Sequence, residues 1–264
     1  MVRKKPNKGD RWTREEMILV FNLYFKLPYG KLDHRTPEVK ALASIMGRTD
    51  NTVAMRLNNF ASCDPKLIAR GIKALGDQKK RCQPYWDEFY ENQEKLVFES
   101  EQILAAYQET TIETKYKEKL TDIPENLKGQ DRIREVKSRV NQQFFRKMVL
   151  ANYNGKCALT GIDIGELLIA SHIIPWSENK EERLNPENGI CLSALYDKAF
   201  DKGLIAFDDK MNVMFSNLLE TSVGKDYYTR YFLPIKSTQL SEPNKYRPNP
   251  QFLEWHRDVI FNKL

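Results

Sequence analysis

His172 stands inside the run LLIASHIIPW, residues 167–176, and is one of three histidines in 264 residues. An imidazole between aliphatic pairs has two readings. It is a hydrogen-bonded core histidine, or it is a proton-transfer group on a rigid strand, because a side chain with a pKa of about 6.5 accepts a proton at neutral pH. His34, in KLDHRTP, and His256, in EWHRD, have no accompanying pattern and read as structural or surface residues. Cys63, Cys82, Cys157 and Cys191 are isolated, with no C-x-x-C pair. A structural zinc knuckle is therefore unsupported, and four reduced, mostly buried thiols are expected.

A second group of side chains has chemistry suited to nucleic acid. In TPEVKALASIMGRTDNTVAMRLNNFAS, Thr36-Pro37 starts one helix, Gly47 ends it, and another begins near Asp50. Two short helices around a tight glycine-containing turn form the helix-turn-helix pattern. Counting from Val53, Leu57 and Phe60 leaves Asn51, Thr52, Arg56 and Asn59 facing outward, with Arg48 just before them. Arg and Asn make bidentate contacts to guanine and adenine edges in a major groove. A polar outer face on a helical hairpin that merely packs is the competing reading. Charge tips the balance: residues 1–62 hold 12 Lys+Arg against 6 Asp+Glu, which accounts for the whole net charge of +6. A local basic surplus suits a polyanion.

The elements that must position these groups follow from the pattern. DRWTREEMILVFNLYFKL reads as an amphipathic helix capped by Thr13, with Glu15 and Glu16 in its first turn and Trp12, Ile18, Leu19, Leu23 and Phe25 on its apolar face. Residues 63–128 are helical and charged, and the aromatic stripe of PYWDEFYENQEKLVFESEQILAAY suits core or dimer packing. TDIPENLKGQD reads as a linker, IREVKSRVNQQFFRKMVLANY as a long helix, and NGKC as a turn. Beyond Lys156 the pattern changes. CALTG and LLIASHII read as strands, NPENG carries an Asn-Gly turn, a short helix covers about Leu192–Phe200, and a strand follows Gly203. Strand, strand, long loop and helix are the order of a ββα unit. No apolar run approaches the roughly 20 residues of a membrane span, and no secretory signal is present, so a reducing cytoplasm is the expected compartment.

At this point a resemblance enters. CALTG…LLIASHIIPW…RLNPENGICLSALYDKAFDKGLIAFDD is similar to the HNH nuclease motif, the ββα-metal fold, in the bacterial restriction-enzyme-like branch with HI-P-W, NG and FD-G signatures. FLEWHRDVIF resembles the tail of that branch, and the similarity covers about residues 129–264. The resemblance implies that His172 is the general base and that Asn188, sixteen residues on, braces the loop that orients it. It also implies that Asp197, nine further on, is the metal ligand carried by the helix. Ser171 stands where the family commonly has an Asp or His ligand, Tyr196 stands beside the ligand position where relatives often have histidine, and Asp201 is either a second carboxylate or a turn cap. Lys180, Arg183, Lys198 and Lys202 flank the motif.

The expectation is an α+β chain with a mainly helical N-terminal half and a C-terminal HNH domain. Its segments are a helix-turn-helix DNA-binding domain at 1–65, a helical packing or dimerisation region at 66–128 and the nuclease domain at 129–264. The implied activity is metal-dependent hydrolysis of double-stranded DNA in restriction or defence, with one Mg²⁺ or Mn²⁺ per site and a homodimer held by the central helices. A non-catalytic DNA-binding protein on a degenerate HNH scaffold is the alternative.

Overall fold

A computed structural model describes residues 10–71, 79–121, 123–124 and 126–263. Most of the basic N-terminal arm, residues 72–78 of the central segment and two positions of the expected linker lie outside the described residues. The chain divides into two compact units, Met1–Phe144 and Phe145–Leu264.

In the first unit, α1 (Arg14–Phe25) begins with a reciprocal capping box. Thr13 Oγ1 accepts from Glu16 N at 3.2 Å, and Thr13 N donates to Glu16 Oε2 at 2.8 Å. The helix was expected to bury one stripe. It is instead enclosed on nearly every side, because α2 (Pro37–Met46), α3 (Asp50–Ala61), α5 (Lys79–Phe89) and α6 (Gln93–Tyr107) all pack against it. The turn between α2 and α3 forms where the sequence places it. Gly47 adopts φ 71°, a conformation that costs glycine little, and Thr49 caps α3 by accepting from Thr52 N.

The aromatic stripe of the central segment belongs to this same core. Phe21 stacks on Phe60 at 4.4 Å, and Trp86 lies 5.3 Å from Phe21 and 6.4 Å from Phe25. Trp86 and Phe89 are buried within their own unit. Tyr24 Oη donates to Asp64 Oδ2 at 2.6 Å just before α4 (Pro65–Ala69). After α6 come α7 (Ile112–Lys115) and the long α8 (Gly129–Asn152).

The second unit is built on the C-terminal turns of α8. Strands β1 (Leu168–His172) and β2 (Gly189–Ser193) pair antiparallel from Leu168↔Ser193 to His172↔Gly189, and α9 (Ala194–Asp201) follows directly. This is the ββα unit, with two corrections. CALTG is a tight turn, closed by Gly161 N donating to Cys157 O at 2.9 Å, and the second strand is GICLS, whose last residues lie in the expected helix. Gly189 is extended (φ −133°, ψ 138°) rather than part of a turn. Its missing side chain serves packing, because a Cβ there would stand 2.4 Å from Val149 Cγ2 and 2.8 Å from Phe145 Cζ. A hairpin of β3 (Ile205–Phe207) and β4 (Val213–Phe215), then α10 (Asn217–Glu220), a single wide turn at Tyr228–Phe232 and α11 (Pro250–Val259), complete the unit. α11 is fastened to α9 and β3. His256 Nε2–H donates to Phe200 O at 3.0 Å, its ring stacks on Phe200 at 3.7 Å, and Arg257 Nη1 donates to Phe207 O at 2.8 Å.

Candidate active site

His172 is the last residue of β1, and three contacts fix its ring. It lies flat on Phe145 of α8 at 3.7 Å and 11°, meets Trp176 edge-on at 5.5 Å, and has Nε2 3.0 Å from Arg183 O. Against a carbonyl, Nε2 can act only as donor, so Nε2 carries the proton and Nδ1 keeps the lone pair. Nδ1 makes no hydrogen bond among the described residues, and unlike the sealed Nδ1 of His256 it is not cut off from solvent. Burial pushes the His172 pKa down to about 4, partly opposed by the hydrogen bond to Arg183 O. The ring is therefore neutral at physiological pH, with one nitrogen anchored and the other ready to accept a proton. The core reading of this histidine accounts for the Nε2 side, while the Nδ1 side is open to solvent.

The anchor for Nε2 is itself braced. Asn188 is buried and spends its side-chain amide on the 173–188 loop. Oδ1 accepts from Ile174 N at 2.8 Å, and Nδ2 donates to Ile174 O and to Glu182 O, both at 3.1 Å. Glu182 is the neighbour of Arg183, whose carbonyl holds His172. Arg183 Nε donates in turn to Trp176 O at 2.6 Å, and its guanidinium lies 5.0 Å over the Trp176 ring. Asn188 thus touches backbone only and acts on His172 through the loop, which makes it a positioning residue.

Ser171 precedes His172, and successive strand residues point to opposite faces. Its side chain lies on the side of α9, where it holds the Asp197 carboxyl pKa down against a larger upward push from burial. It stops short of a closed hydrogen bond, so Ser171 Oγ is buried without a partner. Asp201, one turn along α9, has its pKa raised by burial and by the charge of Asp197, with Lys198 and Lys202 opposing. A half-buried carboxylate, Asp197, and an exposed one, Asp201, at i and i+4 repel one another and, with an orphaned hydroxyl, form an all-oxygen donor set, and that chemistry suits a hard divalent cation. Among the described residues no group of three or more His, Cys, Asp or Glu converges as a metal cluster. Tyr196 turns away from these carboxylates, its Oη donating to Tyr231 O at 2.6 Å.

The residues expected to read DNA are mostly placed otherwise. Arg48 is buried in a bidentate pair with Glu16 at 2.8 and 2.9 Å, and it also donates to Asp10 O and Arg11 O. Arg56 and Asn59 do not face outward, being 6% and 1% exposed. The Arg56 guanidinium lies 4.9 Å over the Trp12 ring. Because α3 packs on α1, α2 and α5, it buries more than the single stripe counted from its sequence. Asn51 remains exposed, and Thr52 is half-buried with its hydroxyl bonded to Thr49 Oγ1.

Sequence reasoning missed Phe145, the platform under His172, and Arg146. Arg146 Nη1 and Nη2 donate to Leu168 O and Gly165 O at 2.6 and 2.9 Å and pin the start of β1. No local motif marks either; the only hint is their place near the end of a long helix that leads into the motif.

With this geometry in place, comparison with protein families gives one match: residues 157–208 match the HNH_2 model, described as HNH endonuclease. The matched stretch contains β1, the braced loop, β2, α9 and β3, and so His172, Asn188, Ser171, Asp197 and Asp201, but not Phe145, Arg146 or the residues of α3. The match supports an HNH domain at this segment and suggests nuclease activity in general. No curated protein matches the chain.

Proposed function

We propose that the chain is a metal-dependent HNH endonuclease that hydrolyses phosphodiester bonds in double-stranded DNA, with a restriction or defence role. The observation that carries the reading is the asymmetric state of His172: Nε2 fixed as donor to a braced carbonyl, Nδ1 unprotonated and without a hydrogen-bond partner among the described residues. Nδ1 takes the proton of the attacking water, and Asn188 keeps it aimed through the 182–183 backbone. Trp176 and Phe145 restrict the ring to one orientation. On the opposite face of β1, Asp197, Asp201 and Ser171 would hold Mg²⁺ or Mn²⁺. When bound, such an ion supplies charge stabilisation for the phosphoryl oxygens and the departing 3′ oxygen. One such site cuts one strand, so a double-strand break takes two chains or two successive nicks.

A second reading, a DNA-binding protein without catalysis, is favoured by Ser171, which stands where relatives commonly have an Asp or His, and by Tyr196, which stands beside the ligand position where relatives often have histidine and instead donates to Tyr231 O. The deciding experiment incubates plasmid DNA with the purified chain and Mg²⁺ or Mn²⁺. The wild type nicks or cuts, and His172→Ala abolishes cleavage while retaining DNA binding. Equal cleavage by both proteins discards His172 as the base; binding without cleavage by the wild type establishes the second reading.

A further inference from the structure

Five of the eleven large hydrophobic side chains exposed among the described residues fall between Leu218 and Leu233: Leu218, Val223, Tyr227, Tyr231 and Leu233. A concentration of this kind marks an interaction surface more often than chance exposure does. The segment is well anchored from beneath, since Tyr228, Phe232 and Ile235 are buried while Tyr231 and Leu233 stand 51% and 50% exposed. The wide turn at Tyr228–Phe232 sets this alternation.

Two observations say what covers the surface. The first is continuity with the candidate active site. Tyr196, next in chain to Asp197, donates through Oη to Tyr231 O at 2.6 Å and meets the Phe232 ring edge-on at 6.3 Å. The departure from the family pattern at 196 is thus the tie that fastens the exposed segment to the carboxylate-bearing helix. The second is charge. Arg230, between the exposed tyrosines, and Lys198 and Lys202 on α9 are exposed and make no ion pair among the described residues, and Lys225 lies 5.8 Å over the Tyr227 ring. Of the acids on the segment, Glu220 is already engaged by Lys236 at 2.7 Å, which leaves Asp226 beside Lys225 and Arg230, while Lys198 and Lys202 stand by the carboxylates of Asp197 and Asp201.

We infer that the 218–233 surface grips the DNA strand that flanks the scissile phosphate, with Arg230 on the backbone and Tyr227 and Tyr231 against base or sugar faces. The inference rests on the nuclease reading for its geometry and extends it to substrate recognition. Aromatic stacking on bases tolerates any sequence, and free cations on phosphate make binding salt-dependent. The catalytic unit therefore has its own DNA contacts, of low sequence selectivity, independent of any reader in the first unit.

The test uses the full chain carrying His172→Ala, so that binding is read without cleavage. Fluorescence anisotropy with a labelled DNA duplex is followed across a salt titration. Tyr231→Ala with Leu233→Ser weakens binding about tenfold or more, as expected for loss of a stacking contact. Tyr231→Phe restores it, and Arg230→Ala lowers the salt slope by about 0.9. Unchanged affinity and slope in Arg230→Ala and in the double variant overturn the inference, and because all these positions are exposed the fold is expected to survive. If sedimentation shows that the double variant loses self-association while its DNA affinity is unchanged, the surface is an interface between copies and the inference is likewise overturned. Loss of binding in these variants alongside a wild type that never cuts would leave this surface standing and remove the nuclease reading. Normal cutting by patch variants would do the reverse.

Discussion

Asn188→Asp separates the role of the brace from the role of its shape. The two side chains are nearly isosteric, so packing at this buried position is preserved. One oxygen can still accept from Ile174 N, as Oδ1 does at 2.8 Å. The other replaces a donor and faces Ile174 O and Glu182 O, each 3.1 Å from the present Nδ2. Two hydrogen bonds at about 0.5–1.5 kcal/mol each are lost, and an ionised carboxylate is left against two carbonyls, for a combined cost of about 3–5 kcal/mol. The new carboxyl escapes part of this by protonating, since its OH can donate to one carbonyl, so its native pKa rises above the ordinary value. The native state then binds more protons than the unfolded one between those two pKa values. The deficit relative to wild type is therefore largest above the raised pKa and shrinks as pH falls through it. Thermal melts of both proteins between pH 8 and about 5 test the sign, and cleavage assays over the same range test the coupling to His172. A displaced 182–183 backbone frees Nε2, so activity falls even where the variant remains folded. A variant that melts with wild type at all pH values, or that is folded and cuts normally, refutes the account of Asn188 as the brace of the loop.

Two further outcomes follow from the second unit. Gly189→Ala forces a Cβ into Val149 and Phe145, and overpacking of this kind costs about 1–3 kcal/mol. Because Phe145 is the platform under His172, thermal stability and cleavage fall together, and a stable, fully active variant would contradict the packing. Burial holds both His172 and His256 at a pKa of about 4, below the ordinary value, so the unfolded chain binds more protons than the native one between about 6.5 and 4. Stability is fully present above that window and is lost as pH falls through it, and His256→Gln makes the decline shallower. An unchanged slope in urea melts of that variant would show that His256 is not held neutral.

The ββα unit was legible because its signatures are local: HI-P-W ends β1, Asn188 closes the loop, and FD-G ends α9. β2 was not, since GICLS is buried at every position and runs without a break into the helix, and an unbroken apolar run has no period to read. The role of Gly189 was hidden for another reason. Its partners Phe145 and Val149 are some forty residues earlier, and no turn chemistry reports a long-range close approach. The helix caps at Thr13 and Thr49 and the Gly47 stop were readable because capping is settled within four residues. The outward face of α3 failed on neighbour number. The spacing of Val53, Leu57 and Phe60 marks one buried stripe, but it does not say how many other helices press on the remaining sides, and there Arg56 and Asn59 are covered.

The grip on the His172 ring by a main-chain oxygen has a practical meaning for anyone redesigning this unit. A peptide carbonyl is present at position 183 whatever residue stands there, so the chemistry of the tautomer does not depend on that residue's identity. Insertion or deletion within 173–188 is a different matter, because it slides the oxygen away from the ring while Asn188 stays fixed to Ile174. This stretch can be rewritten in composition, but its length is the setting that must not be changed.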